Sequence, residues 1–107
     1  MAGGVVFIPW YATGFRADGL EVALAEIAPV AMRYGATDYA VYRSQDDRYK
    51  FLQTSSFASK TDFERYWYGE EFSRFRSEHA GWYQIPVLYF FNDLVTAGSL
   101  QPEPAAE

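Results

Sequence analysis

The chain contains no cysteine, which excludes disulfides, thiol nucleophiles and zinc–thiolate sites. Its only histidine is His79, too few imidazoles for a dedicated transition-metal centre, so no metal is expected. Long hydrophobic runs are missing too. No stretch approaches the roughly 20 apolar residues that a membrane-spanning helix needs, so no membrane association is expected. The opening MAGGVVFIPW carries neither a basic region nor a long apolar stretch and does not read as a signal peptide. The expected location is therefore cytoplasmic. Basic residues are scarce, 9 Lys and Arg against 14 Asp and Glu, and they form no cluster. The net charge of −5 repels phosphate backbones, so nucleic acid is not an expected partner. Neither a glycine-rich phosphate loop nor a nucleophile motif is present.

Aromatic residues, in contrast, are plentiful. The 107 residues include 9 Tyr, 9 Phe and 3 Trp, and half of the chain is hydrophobic. That length suits one domain, expected over residues 1–97, and the apolar content is far too high for a disordered chain. A chain this short buries only about two-thirds of its unfolded surface. It cannot readily hide so many large rings alone. The surplus points to an aromatic-lined pocket, a protein interface, or both.

The run VVFIPWY, Val5 to Tyr11, is rich in β-branched and aromatic residues and predicts a strand in which Pro9 must avoid a ladder hydrogen bond. Asp18 and Glu21 form a capping pattern ahead of Leu20, Leu24, Ile27, Ala31 and Tyr34, whose spacing predicts a helix kinked or broken at Pro29 and closed by Gly35. Residues 37–43 and 49–57 predict a hairpin around the turn formers Ser44, Gln45, Asp46 and Asp47. Ser59 or Thr61 can cap a further helix bearing Phe63, Tyr66 and Trp67. Gly69 interrupts it before a second helical piece, from Glu70 to about His79. Residues 82–91, WYQIPVLYFF, predict the last strand, at a sheet edge where Pro86 is tolerated. Residues 98–107, with two prolines and two glutamates, predict a disordered tail. The order of elements is βαββαβ, an α+β ferredoxin-like fold with an antiparallel sheet. Both faces of that sheet read as apolar, so a second copy of the chain is the simplest cover for the face without helices.

Between Gly35 and Phe72, the residues Gly35, Tyr39, Val41, Tyr42, Arg43, Ser44, Asp46, Asp47, Phe51, Phe57 and Phe72 form a pattern. On it the chain resembles the dimeric αβ-barrel family of antibiotic-biosynthesis-type monooxygenases, over roughly residues 4–92. The resemblance implies a homodimer and a pocket between sheet and helices for a small hydrophobic or aromatic ligand. Activities in that family include cofactor-free oxygenation of aromatic polyketides, haem degradation and isomerisation of small metabolites. The haem-degrading branch needs an Asn on the first strand, a Trp at the position of Tyr66 and a His at the position of Arg76. None of the three is present here, which argues against haem.

His79 is the default general base, because imidazole alone titrates near neutrality. The plainer reading is a histidine at a helix C-terminus, where its cationic form suits the dipole. Tyr66 can offer a hydrogen bond to a substrate oxygen, and Trp67 a ring on which a planar substrate stacks. Against this, one of the two can be core and the other surface. Trp10, Phe72 and Tyr39 complete the candidate substrate-binding set, although structural roles are favoured for Trp10 and Tyr39. Two functions follow. One is a small cofactor-independent monooxygenase-like protein acting on a planar aromatic or enolisable molecule. The other is a non-catalytic homodimer that binds a hydrophobic ligand or a partner.

Overall fold

The computed structural model describes residues 3–100. Four strands, β1 (Gly4–Tyr11), β2 (Asp38–Arg43), β3 (Lys50–Phe57) and β4 (Phe90–Asn92), form one antiparallel sheet in the order β2-β3-β1-β4. Helix α1 (Ala17–Ile27), a 3₁₀ helix (Ala28–Tyr34), α2 (Lys60–Trp67) and α3 (Glu70–Glu78) cover one face. The βαββαβ order gives the ferredoxin-like arrangement, with β1 and β3 central.

Alternation along the strands separates the two faces. Val6, Ile8, Trp10 and Ala12, with Phe51, Gln53, Ser55 and Phe57, point towards the helices and are buried. Phe7, Tyr11, Tyr42 and Phe90 share the other face and lie 38–59% exposed. Gly4 must be a glycine because β4 crosses so closely: a Cβ there would lie 2.7 Å from the Phe91 ring and 2.9 Å from the Asn92 carbonyl.

Pro9 sits in a central strand, yet it breaks no ladder bond. Ala12 N–H donates to Tyr49 O on the β3 side, and Tyr11 O accepts from Gln84 N–H on the other side. Alternation then turns the nitrogen of Pro9 away from β3, towards a stretch that β4 does not reach, since β4 pairs only with Val5 to Phe7.

Several local expectations are corrected. Asp18 and Glu21 do not form a capping box; the N-cap of α1 is Arg16, without a side-chain cap. Both carboxylates instead grip Arg43 of β2, at 2.9 and 2.7 Å, because a guanidinium within reach offers a charge-assisted bond that a backbone N–H cannot match. The helical run does break at Pro29, where α1 passes into the 3₁₀ helix that ends at Gly35 in the left-handed conformation (φ 102°). Ser59 is the cap of α2, its Oγ accepting from Asp62 N–H at 3.2 Å.

The last strand is much shorter than the expected 82–91. Its ladder with β1 covers Phe90–Asn92, and Ala12 and Tyr83 form a separate bridge. The two pairings differ in register by two residues, so residues 85–89 lie opposite only residues 8–10 and bulge out of the sheet. Of the tail expected over 98–107, residues 98–100 are exposed and without regular structure, and residues 101–107 lie outside the described residues.

Candidate functional site

The space between sheet and helices is filled by rings. Trp10 stacks on Phe72 at 6.2 Å and meets Phe75 and Tyr83 edge-on at 5.7 and 5.1 Å. Tyr66 and Trp67, adjacent on α2, both touch the Phe72 ring, at 4.7 and 5.0 Å. Adjacent helical positions point about 100° apart, yet Phe72 is large and central enough to meet both. Four of the predicted residues, Trp10, Tyr66, Trp67 and Phe72, therefore form one contiguous cluster.

A buried polar chain crosses that cluster. Trp10 Nε1–H donates to Gln53 Oε1 at 3.1 Å, Gln53 Nε2–H donates to Tyr66 Oη at 3.1 Å, and the Tyr66 hydroxyl donates to the Ile27 carbonyl at 2.7 Å. Tyr66 is wholly buried, and desolvation pushes its pKa above the ordinary tyrosine range, outweighing the opposing bond from Gln53. The phenol stays protonated at neutral pH, with its proton committed to Ile27. Its chemistry in this geometry is to fix Gln53 and, through it, the Trp10 indole. The alternation KFLQTSSF places Gln53 inward between Phe51 and Ser55, so its burial was open to reading from the strand period.

His79 stands apart from Tyr66. It is the C-cap of α3, with Nδ1 at 2.7 Å from the Phe75 carbonyl and its ring against Phe75 (4.6 Å) and Trp82 (4.8 Å). A carbonyl only accepts, so Nδ1 carries the proton and a neutral His79 presents Nε2 as its base. The ring lines a small cleft of about 150 Å³ with Glu26, Ile27, Glu71, Arg74 and Glu78. The ring path from His79 to Tyr66 runs through Phe75 and Phe72. Tyr39 is also separate. It pairs with Ser55 on the helix-side face, but β2 is the sheet edge and the ring is 44% exposed.

Arg76 and Tyr89 were not anticipated. The Arg76 guanidinium carbon lies 4.2 Å over the Trp67 ring and 5.0 Å over Phe72, and Nη2–H donates to the Trp67 carbonyl at 2.8 Å. Tyr89, from the bulged segment, closes on Phe63 (4.7 Å) and Trp67 (5.3 Å). A larger cleft of about 780 Å³ lies at the end of the sheet, between Gly3, Gly4, Thr37, Ser56, Phe57, Ala58 and the residues Asp93 and Leu94 that follow β4. It offers one ring and one charged group, which gives little to orient a ligand.

Solved structures share this architecture. A "putative antibiotic biosynthesis monooxygenase" from Nitrosomonas europaea superposes with a TM-score of 0.77 at 15% identity, over 90% of this chain and 94% of its own. Another "putative antibiotic biosynthesis monooxygenase", from Deinococcus radiodurans, gives 0.77 at 13% identity, over 92% and 99%. The chain has the fold of the antibiotic-biosynthesis-monooxygenase-like proteins. A protein of unknown function from N. europaea matches equally well, with a TM-score of 0.76 at 17% identity over 95% and 98%, and the fold alone does not name an activity. No protein-family model matches the sequence, and no curated protein matches it.

Proposed function

We propose that the chain is a small cofactor-independent monooxygenase-like protein that acts, as a homodimer, on a planar aromatic or enolisable molecule. The observation that carries this reading is the cluster of Trp10, Tyr66, Trp67 and Phe72, a set of ring faces held in fixed positions by the Gln53 hydrogen-bond chain. Flat apolar substrates bind to such faces by stacking. The shared fold with proteins named as monooxygenases supports it. A ligand would enter by displacing the bulged residues 85–89, which no ladder bond holds to β1.

In the reaction, Nε2 of His79 takes a proton from an acidic C–H or O–H of a substrate reaching the α3 end of the cluster. The resulting carbanion passes electrons to dioxygen, a C–O bond forms, and loss of water from the hydroperoxide leaves a carbonyl. A CH₂ group plus O₂ thus becomes C=O plus H₂O, with no outside reductant. The homodimer would cover the exposed Phe7, Tyr11, Tyr42 and Phe90.

The test is oxygen uptake with an anthrone as substrate. One O₂ consumed per anthrone lost, with the rate cut by His79→Ala, supports the reading. The absence of uptake above the uncatalysed rate rejects it. One observation favours a second reading, a non-catalytic dimer that binds a hydrophobic ligand: the Tyr66 proton is locked, and the only imidazole lines a separate small cleft. Saturable anthrone binding without oxygen uptake would establish that alternative.

A further inference from the structure

Among the described residues, Arg76 is a half-buried cation without an anion. Arg33, Arg43, Arg65 and Arg74 each meet a carboxylate within 3.3 Å. Among the described residues Arg76 meets none; neither do Arg16 and Arg48, but those two are exposed whereas Arg76 is half-buried, in a chain of net charge −5 where carboxylates outnumber basic groups. Its Nη2 is used by the Trp67 carbonyl, while its Nη1 is buried and has no hydrogen-bond partner among the described residues. The faces of Trp67 and Phe72 compensate part of the charge, but a ring lying against the guanidinium plane accepts no N–H that points within that plane. A buried N–H left unpaired is costly and rarely retained without a use. Desolvation already lowers the pKa of this guanidinium, the expected mark of a charge lacking its counter-ion.

The cover over this region is the part of the sheet least held in place. Residues 85–89 span a distance that residues 8–10 cover on β1, and opposite them Pro9 has no N–H to give. Ile85 and Leu88 face solvent, 81% and 55% exposed, while Val87 and Tyr89 pack inward, Tyr89 directly on the Trp67 ring. Lifting this segment takes Tyr89 off Trp67 and opens a path along the ring that carries Arg76.

We propose that Arg76 anchors a binding site for a flat aromatic carboxylate, with residues 85–89 as its movable cover. The carboxylate takes the free N–H groups of Nη1, and its ring replaces Tyr89 against Trp67. Guanidinium suits this task, because its planar fork stays charged and binds a carboxylate while stacked on an indole. The site needs no turnover, so it stands or falls apart from the oxygenase reading, which oxygen uptake decides.

The experiment compares 4-nitrobenzoate with its neutral counterpart 4-nitrobenzamide, by quenching of tryptophan fluorescence in the unmodified chain. The carboxylate is expected to bind about tenfold tighter or better, the effect of one charge-assisted hydrogen bond. Arg76→Met should abolish that preference while the circular dichroism spectrum stays native. Equal affinity for the two compounds, binding of neither, or a preference that survives in a folded Arg76→Met would overturn the proposal. The two-compound comparison decides the matter even if the variant does not fold.

Discussion

Tyr66→Phe removes one oxygen from the interior and leaves every ring contact in place, including those to Phe72 at 4.7 Å and Phe57 at 6.2 Å. The change strands two groups. The Ile27 carbonyl loses its 2.7 Å donor, and Gln53 Nε2 loses its 3.1 Å acceptor. Gln53 is 1% exposed and the Ile27 residue 6%, so water cannot replace the hydroxyl without a rearrangement. Each stranded group costs about 1–3 kcal/mol, and some relaxation of Gln53 brings the expected loss to about 2–4 kcal/mol. For a domain of this size that lowers the melting temperature by roughly 10 °C or more. Urea unfolding followed by circular dichroism measures it, with the slope unchanged. Gln53→Leu, alone and combined with Tyr66→Phe, completes a cycle in which the two should couple by about 1 kcal/mol or more. A Tyr66→Phe protein within about 0.5 kcal/mol of the parent would refute the reasoning and free the hydroxyl for a role in turnover.

Three other perturbations test separate parts of the structure. Gly4→Ala should unseat β4 from β1, because the added carbon lies 2.7 Å from Phe91; a loss of about 1–3 kcal/mol is expected in thermal melts, and a neutral result would mean that β4 gives way freely. Phe7→Asp on the helix-free face should halve the mass seen by light scattering while the circular dichroism is kept; a mass unaltered from a dimeric parent would place the interface elsewhere. Hydrogen bonds from Tyr34 to Glu71 and from Tyr11 to Asp47 hold both carboxylates below the ordinary carboxylate range. Their stabilisation is present above the unfolded-state pKa of about 4 and is lost as pH falls through the lowered folded values. The gap between Glu71→Gln and the parent should therefore shrink as pH falls, and a gap that stays constant would contradict the assignment.

The strand and helix periods in the sequence were strong enough to reveal the βαββαβ order, the break at Pro29 and the Gly35 end, and narrowed the α2 cap to Ser59 or Thr61, of which Ser59 serves. These are local signals, set by neighbours a few residues away. The Asp18 and Glu21 pattern failed because a third residue, Arg43, arrives from 25 positions along the chain at Asp18 and offers a better partner than the helix end. Residues 82–91 carry the composition of a strand throughout, yet pairing depends on register with a distant strand, and the two-residue mismatch between the Tyr83 bridge and the Phe90 ladder is invisible in composition. Within the site, Trp10, Tyr66, Trp67 and Phe72 converge because their spacings place them on inward faces. Arg76 was hidden by type: a charged residue one position after buried Phe75 reads as the solvated side of the helix, and only the stack on Trp67 reveals otherwise.

The central claim is that a flat ligand seats among the helix-side rings rather than on the open sheet face. The most direct measurement is a fluorescence titration with an anthrone of the native protein beside Trp67→Phe, which leaves Trp10 and Trp82 as reporters. Saturable quenching in the native chain that weakens markedly in Trp67→Phe is the predicted result. Quenching of equal depth and midpoint in both, or none in either, would contradict the claim.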